Sequence, residues 1–145
     1  TGAAIAVTQT VMSLQGKFDG LSVRVPSPVV SLSDVTMVLR RDTTKEEIND
    51  VFVRASKEPY YQGIVGVSDV PLVSKDYVGN SHSGIVDLAL TNVVAGNLVK
   101  VVVWYDNEWG YSNRLVELVA DVGKMLHGVR EENVEADAHV DAVTA

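Results

Sequence analysis

The amino-acid sequence predicts an α+β domain: a mixed, mostly antiparallel sheet of about six strands with three helices. Three observations carry that reading. Segments of strand character follow one another directly, without the regular alternation with helices that βαβ units require. Helical periodicity with recognisable end signals is confined to three places. Finally, 145 residues, 46% of them hydrophobic, are enough for a real core and too apolar for a disordered chain.

Residues 2–14 place Ala4, Val7, Val11 and Leu14 on one helical face, with Thr1 as N-cap and Gly16 just past the end. Residues 21–25 alternate apolar and polar as a strand, which Pro26 and Pro28 stop. Residues 31–41 alternate in their first half and are rich in β-branched side chains, predicting a second strand. Thr43 with Glu46, or Thr44 with Glu47, offers a capping box for a second helix. Its face is continued by Ile48, Val51, Phe52 and Ala55, and Pro59 ends it.

Two short apolar pieces, 63–67 and 72–77, read as strands at a sheet edge, followed by a turn at Gly79-Asn80-Ser81. Residues 85–94 and 98–105 flank Ala95-Gly96-Asn97, the signature of an antiparallel hairpin. The third helix follows, with Leu115, Leu118, Val119, Val122 and Leu126 at helical spacing and Glu117, Asp121 and Lys124 opposite. From Arg130 small and acidic residues dominate without period. The expected organisation is therefore a domain over 1–128 and an acidic, mobile tail over 129–145.

Composition excludes several functions. A net charge of -7 without a basic stripe disfavours nucleic acid as a partner. With no cysteine there is no disulfide, thiolate nucleophile or Cys-ligated metal, and His82, His127 and His139 are too dispersed to form a metal site. No apolar run is long enough to span a bilayer and no signal-peptide pattern occurs, so no membrane partner is expected and cytoplasmic residence is the default. Neither G-x-G-x-x-G nor G-x-x-x-x-G-K-[ST] is present, and the Gly79–Gly84 stretch misses the G-x-S-x-G spacing. The chain starts at Thr1 without a methionine, which reads as a processed product, an excised domain or a partial reading frame.

Candidate chemistry lies in three places. The run from Trp104 to Arg114 (W-Y-D-N-E-W-G-Y-S-N-R) packs aromatics, amide, acid and base into a strand-to-helix junction. There Asn107 is either an N-cap or part of a ligand or partner surface. Thr1-Gly2 at a helix start is either a simple cap or a phosphate site, because orphan amides and the macrodipole favour anions there. Arg24 is either a surface arginine or the bidentate cation that an anion site needs. Asp34 reads as an exposed-face residue or a partner for Arg40 or Arg41.

Taken together, Thr1-Gly2-Ala3-Ala4, the corner Arg24-Val25-Pro26-Ser27-Pro28 and the Trp104–Arg114 junction resemble, in order and spacing, the phosphorylating glyceraldehyde-3-phosphate dehydrogenases. The resemblance covers roughly positions 1 to 126. It implies the later part of the catalytic domain with its final helix, from an enzyme that oxidises an aldehyde to an acyl phosphate in glycolysis. In that family a cysteine thiolate attacks the aldehyde, a histidine acts as base, NAD or NADP takes the hydride, and phosphate releases the product. The family's cysteine, histidine and Rossmann domain all lie upstream of the Thr-Gly motif.

Carried over residue by residue, the resemblance implies that Thr1 and Gly2 bind the attacking phosphate and Arg24 holds substrate phosphate. Asn107 would fix the nicotinamide carboxamide and Tyr111 would pack near that ring. No catalytic residue and no metal ligand is carried over. Ile5 stands where the family usually has lysine. The expected properties are inactivity and no bound cofactor alone, with self-association or the upstream region as partner. The rivals are a free-standing, non-catalytic assembly module and a fragment of an erythrose-4-phosphate dehydrogenase.

Overall fold

The computed structural model describes the backbone of residues 2–143. Thr1, Thr144 and Ala145 lie outside the described residues, as do the side chains of Ala3 and 128–143. Among the described residues the order is α1 (Gly2–Thr10), β1 (Ser31–Val38), α2 (Lys45–Ala55), β2 (Val65–Ser68), β3 (Gly84–Val94), β4 (Leu98–Tyr105) and α3 (Asn107–Val143). The class is the expected α+β with three helices, but the sheet has four strands, ordered β1-β4-β3-β2. It is mixed, because β2 runs parallel to β3 while β1–β4 and β3–β4 are antiparallel.

Both missing strands have a physical reason. Residues 21–25 alternate correctly, yet Leu21, Val23 and Val25 are 81%, 75% and 66% exposed, so no neighbouring surface rewards the alternation. Within 72–77, the Asp76 carboxylate accepts a 2.8 Å bond from the Val73 amide and winds Ser74–Tyr77 into a 3-10 turn. That turn lies on the long connection which lets β2 and β3 run parallel. The first helix is also shorter than its periodicity: α1 stops at Thr10 and yields to a 3-10 turn at Met12–Leu14. Its expected cap, Thr1, lies outside the described residues. At the other end, α3 takes in the backbone of the segment read as a tail.

Each face of the sheet carries part of the core. On one, Ile48 and Phe52 of α2 pack over Val86, Val99 and Val101. On the other, Val30, Tyr77 and Ile85 enclose Leu72 and Trp104, with Tyr77 stacked on Trp104 at 5.3 Å. Burial with the charges of Asp87 and Asp76 nearby holds the Tyr77 phenol above its usual pKa. Each fully buried valine, such as Val99 or Val101, contributes about 1.5–3 kcal/mol by removal from water.

The second helix is tied to the sheet by polar contacts as well. Thr44 is its N-cap, its hydroxyl accepting from the Glu47 amide, while the Glu47 carboxylate goes to Thr43 and Arg41. The third strand bulges between Asp87 and Asn92. The carbonyls this frees at Leu88 and Ala89 accept from Asn49 and Lys45 of α2, and the amides of Ala89 and Leu90 donate to Asp87. In the hairpin turn Ala95 and Gly96 are left-handed (φ 51 and 81), and the Gly96 carbonyl accepts from the Thr43 amide at 2.7 Å. On the Trp104 face Asp34 is exposed and pairs with Lys100 at 2.8 Å, not with Arg40 or Arg41. No helix among the described residues is long and apolar enough to cross a membrane.

Candidate functional site

The strand-to-helix junction is held by Asp106, which corrects the expectation that Asn107 caps the helix. Aspartate is among the best N-cap residues, and here the Asp106 carboxylate accepts from the Trp109 amide at 3.2 Å. Its other oxygen accepts from the Gly79 amide at 2.9 Å, and the side chain is 6% exposed. One buried carboxylate thus caps α3 and ties down the 79–84 loop. Asn107 is then the first helical residue, with its side chain exposed. The Ser31 hydroxyl donates to its Oδ1 at 2.8 Å.

That contact depends on how the chain enters β1. Val30, a β-branched residue, sits at φ 72 while 8% exposed in the core. Left-handed backbone at such a residue costs about 1–3 kcal/mol and persists only where packing overrides it. Its neighbours Tyr77 and Ile85 supply the packing, and the turn delivers Ser31 opposite Tyr105, two residues before Asn107.

Further along α3, Gly110 is buried, and a Cβ there would stand 2.9 Å from the His82 carbonyl oxygen. Only a glycine lets the helix approach that loop so closely. Arg114 closes the arrangement, donating to the Gly63 carbonyl at 3.1 Å and to the Ser83 hydroxyl at 3.4 Å and pairing with Glu117 at 2.5 Å. Between loop and helix lies a shallow cleft of about 280 Å³, lined by Ser83, Tyr105, Asp106, Asn107, Gly110, Tyr111 and Arg114. Tyr111 is 69% exposed, so its ring is available for contact. No group of His, Asp and Glu among the described residues can hold a metal ion.

Gly2 opens α1 and is exposed, Arg24 is exposed in an irregular segment, and neither lines the cleft. Arg24 makes no hydrogen bond or ion pair among the described residues, and Thr1 lies outside them. The structure thus brings Asn107 and Tyr111 to one cleft, and Gly2 and Arg24 are not among the residues that line it. Sequence reasoning missed Ser31 and, within the Trp104–Arg114 run it singled out, gave no separate role to Asp106, Gly110 or Arg114. Asp106 and Gly110 had a signal, an acid before a helical period and a glycine within one. The Ser31 contact joins residues 76 positions apart and had none.

Residues 1–107 match the family model described as glyceraldehyde 3-phosphate dehydrogenase, C-terminal domain. This chain belongs to the glyceraldehyde-3-phosphate dehydrogenase family. It is 51% identical over 126 residues to glyceraldehyde-3-phosphate dehydrogenase of Zymomonas mobilis, covering 87% of this chain and 37% of that protein. Similar relatives include glyceraldehyde-3-phosphate dehydrogenase of Mycobacterium avium, 50% identical over 126 residues, with 87% and 37% covered. Glyceraldehyde-3-phosphate dehydrogenase 2 of Bacillus subtilis is 48% identical over 128 residues, with 88% and 37% covered. The chain therefore spans a little over a third of the length of the dehydrogenases it matches. The family match runs through the sheet and ends at Asn107, the residue that opens α3 beside the cleft.

Proposed function

We propose that this chain supplies the nicotinamide-facing edge and part of the phosphate site of an NAD(P)-dependent, phosphorylating glyceraldehyde-3-phosphate dehydrogenase. The observation that supports it best is the pairing of the family match with an asparagine held at the mouth of a cleft. The cleft suits a carboxamide-bearing ring. It offers an amide side chain and an exposed phenol ring, and its one carboxylate, Asp106, has both oxygens engaged. In this reading Asn107 orients the carboxamide and Tyr111 lies against the ring, while Thr1, Gly2 and Arg24 hold phosphate groups. A bound dinucleotide would supply the acceptor for the hydride of the hemithioacetal that the upstream thiolate forms with the aldehyde.

The chain contributes orientation and anion binding, but no thiolate nucleophile, since it has no cysteine. It is inactive alone, and its working partner is a region supplying thiolate, base and most of the cofactor site. Exposed Leu115, Leu118, Val122 and Leu126 on α3 provide apolar surface for that region or for a second copy. Residues 1–128 form the working domain, 129–145 an acidic appendage, and the cytoplasm is the place of action.

The test is a direct assay. With NAD, phosphate and glyceraldehyde 3-phosphate, the isolated chain gives no cofactor reduction above blank. Joined behind the part of the Zymomonas mobilis relative that precedes its matching segment, it gives an active dehydrogenase. Turnover by the isolated chain, or an inactive but folded hybrid, overturns the proposal.

A further inference from the structure

An asparagine side chain is nearly symmetrical in shape and opposite in polarity at its two ends, one a double donor and the other an acceptor. Which end meets a ligand must be set by a neighbour. At Asn107 the neighbour is Ser31, whose hydroxyl donates to Oδ1 at 2.8 Å and leaves Nδ2 without a partner among the described residues. We propose that Ser31 is a positioning residue that fixes Asn107 as a hydrogen-bond donor, so that the cleft selects a ring substituent by its carbonyl oxygen.

Three features place that hydroxyl. The left-handed Val30, buried against Tyr77 and Ile85, turns the chain into β1. Pairing of Ser31 with Tyr105 sets its height along the sheet. Asp106, capping the helix, fixes Asn107 as its first residue. The first-turn amides of α3 carry the positive end of the helix dipole, which also favours an acceptor on the ligand. The inference rests on the reading that Asn107 meets the cofactor's carboxamide. Within that group it assigns the contact to the carbonyl and leaves the amino end unread.

The probes are NAD, its 3-acetylpyridine analogue, which keeps the carbonyl but lacks the amino group, and its thionicotinamide analogue, whose sulfur is a weaker acceptor. Binding and turnover are measured in the hybrid dehydrogenase described above. Ser31→Thr and Ser31→Val have nearly the same shape and both suit a strand, but only threonine can donate. Ser31→Thr is expected to keep the affinity for NAD and its preference over the thio analogue. Ser31→Val is expected to weaken NAD binding about three- to tenfold and flatten that preference, with a smaller effect on kcat. The acetylpyridine analogue is expected to bind as NAD does and to suffer the same loss.

Equal behaviour of the threonine and valine variants overturns the inference, provided Asn107→Ala still weakens NAD binding. If Asn107→Ala has no effect on NAD binding, the reading of the site falls as well. In the 145-residue chain itself, the Asn107 side-chain amide resonances should move in Ser31→Val and stay in Ser31→Thr. An unmoved pair in both also overturns it.

Discussion

Residues 104–114 and residues 11–29 both carry motifs of the same proposed site, and they are built in opposite ways. At the junction, Asp106 joins helix to loop, Gly110 admits the loop, Arg114 ties it to Gly63 and Ser83, and Ser31 steadies Asn107. In the earlier segment Leu21, Val23 and Val25 face outward and Arg24 touches no polar partner among the described residues. The edge proposed to face the nicotinamide is thus organised by this chain's own sheet and helix. Arg24, proposed to hold phosphate, has no such support among the described residues. A binding group can be preorganised only where neighbours over-determine its position.

That contrast can be broken first at Asp106. Replacement by alanine removes the cap of α3 and leaves the Gly79 amide without its acceptor, so urea unfolding should show a loss of about 2–3 kcal/mol. Arg24→Ala, in the same assay, should stay within about 0.5 kcal/mol of the parent. If the two losses are equal, the contrast is wrong.

Two glycines of one helix sharpen it further. Gly110→Ala puts a Cβ against the His82 carbonyl, and the strain should exceed the gain in helix propensity, for a net loss of about 1 kcal/mol. Gly123, with nothing within 4 Å of its Cβ position, should instead gain up to about 1 kcal/mol as alanine. Thermal unfolding of both variants decides the matter, and a shared sign would contradict the close loop–helix approach.

The smallest effect concerns pH and the start of α2. The Glu47 carboxyl is held below its ordinary pKa by the Thr43 hydroxyl first and by Arg41 second. A lowered folded-state pKa stabilises fully above the unfolded value of about 4.3, and the contribution disappears as pH falls through the lowered value. The urea midpoint should therefore decline on acidification below that range, slightly less steeply in Thr43→Val. An identical slope in the variant would show that Thr43 does not set the Glu47 pKa.

Much of this was legible from sequence where local rules and tertiary outcome agree. The β3–β4 hairpin followed from Ala95-Gly96-Asn97 between two β-branched runs, and α2 from its cap and apolar face. Alternation at 21–25 misled because period two describes side chains and says nothing of a partner strand. The parallel β2–β3 pair was hidden because strand direction depends on the whole connection carrying Ser74–Tyr77. Asn107 and Tyr111 were proposed through motif resemblance, while Asp106, which holds the junction, was passed over for its neighbour. Ser31 was out of reach: a hydroxyl aimed across the fold leaves no trace in residue spacing.

The order of strands has a consequence in time. Val94 meets Leu98 across three residues, whereas Ser31 and Asn107 are 76 positions apart. Closing a loop is cheap for near neighbours and grows costlier with the logarithm of length, so pairing of β1 with β4 has the greater entropic barrier to overcome. The hydroxyl that orients Asn107 therefore arrives with the closure of the sheet. A hairpin alone would carry the asparagine, but not the direction in which it points.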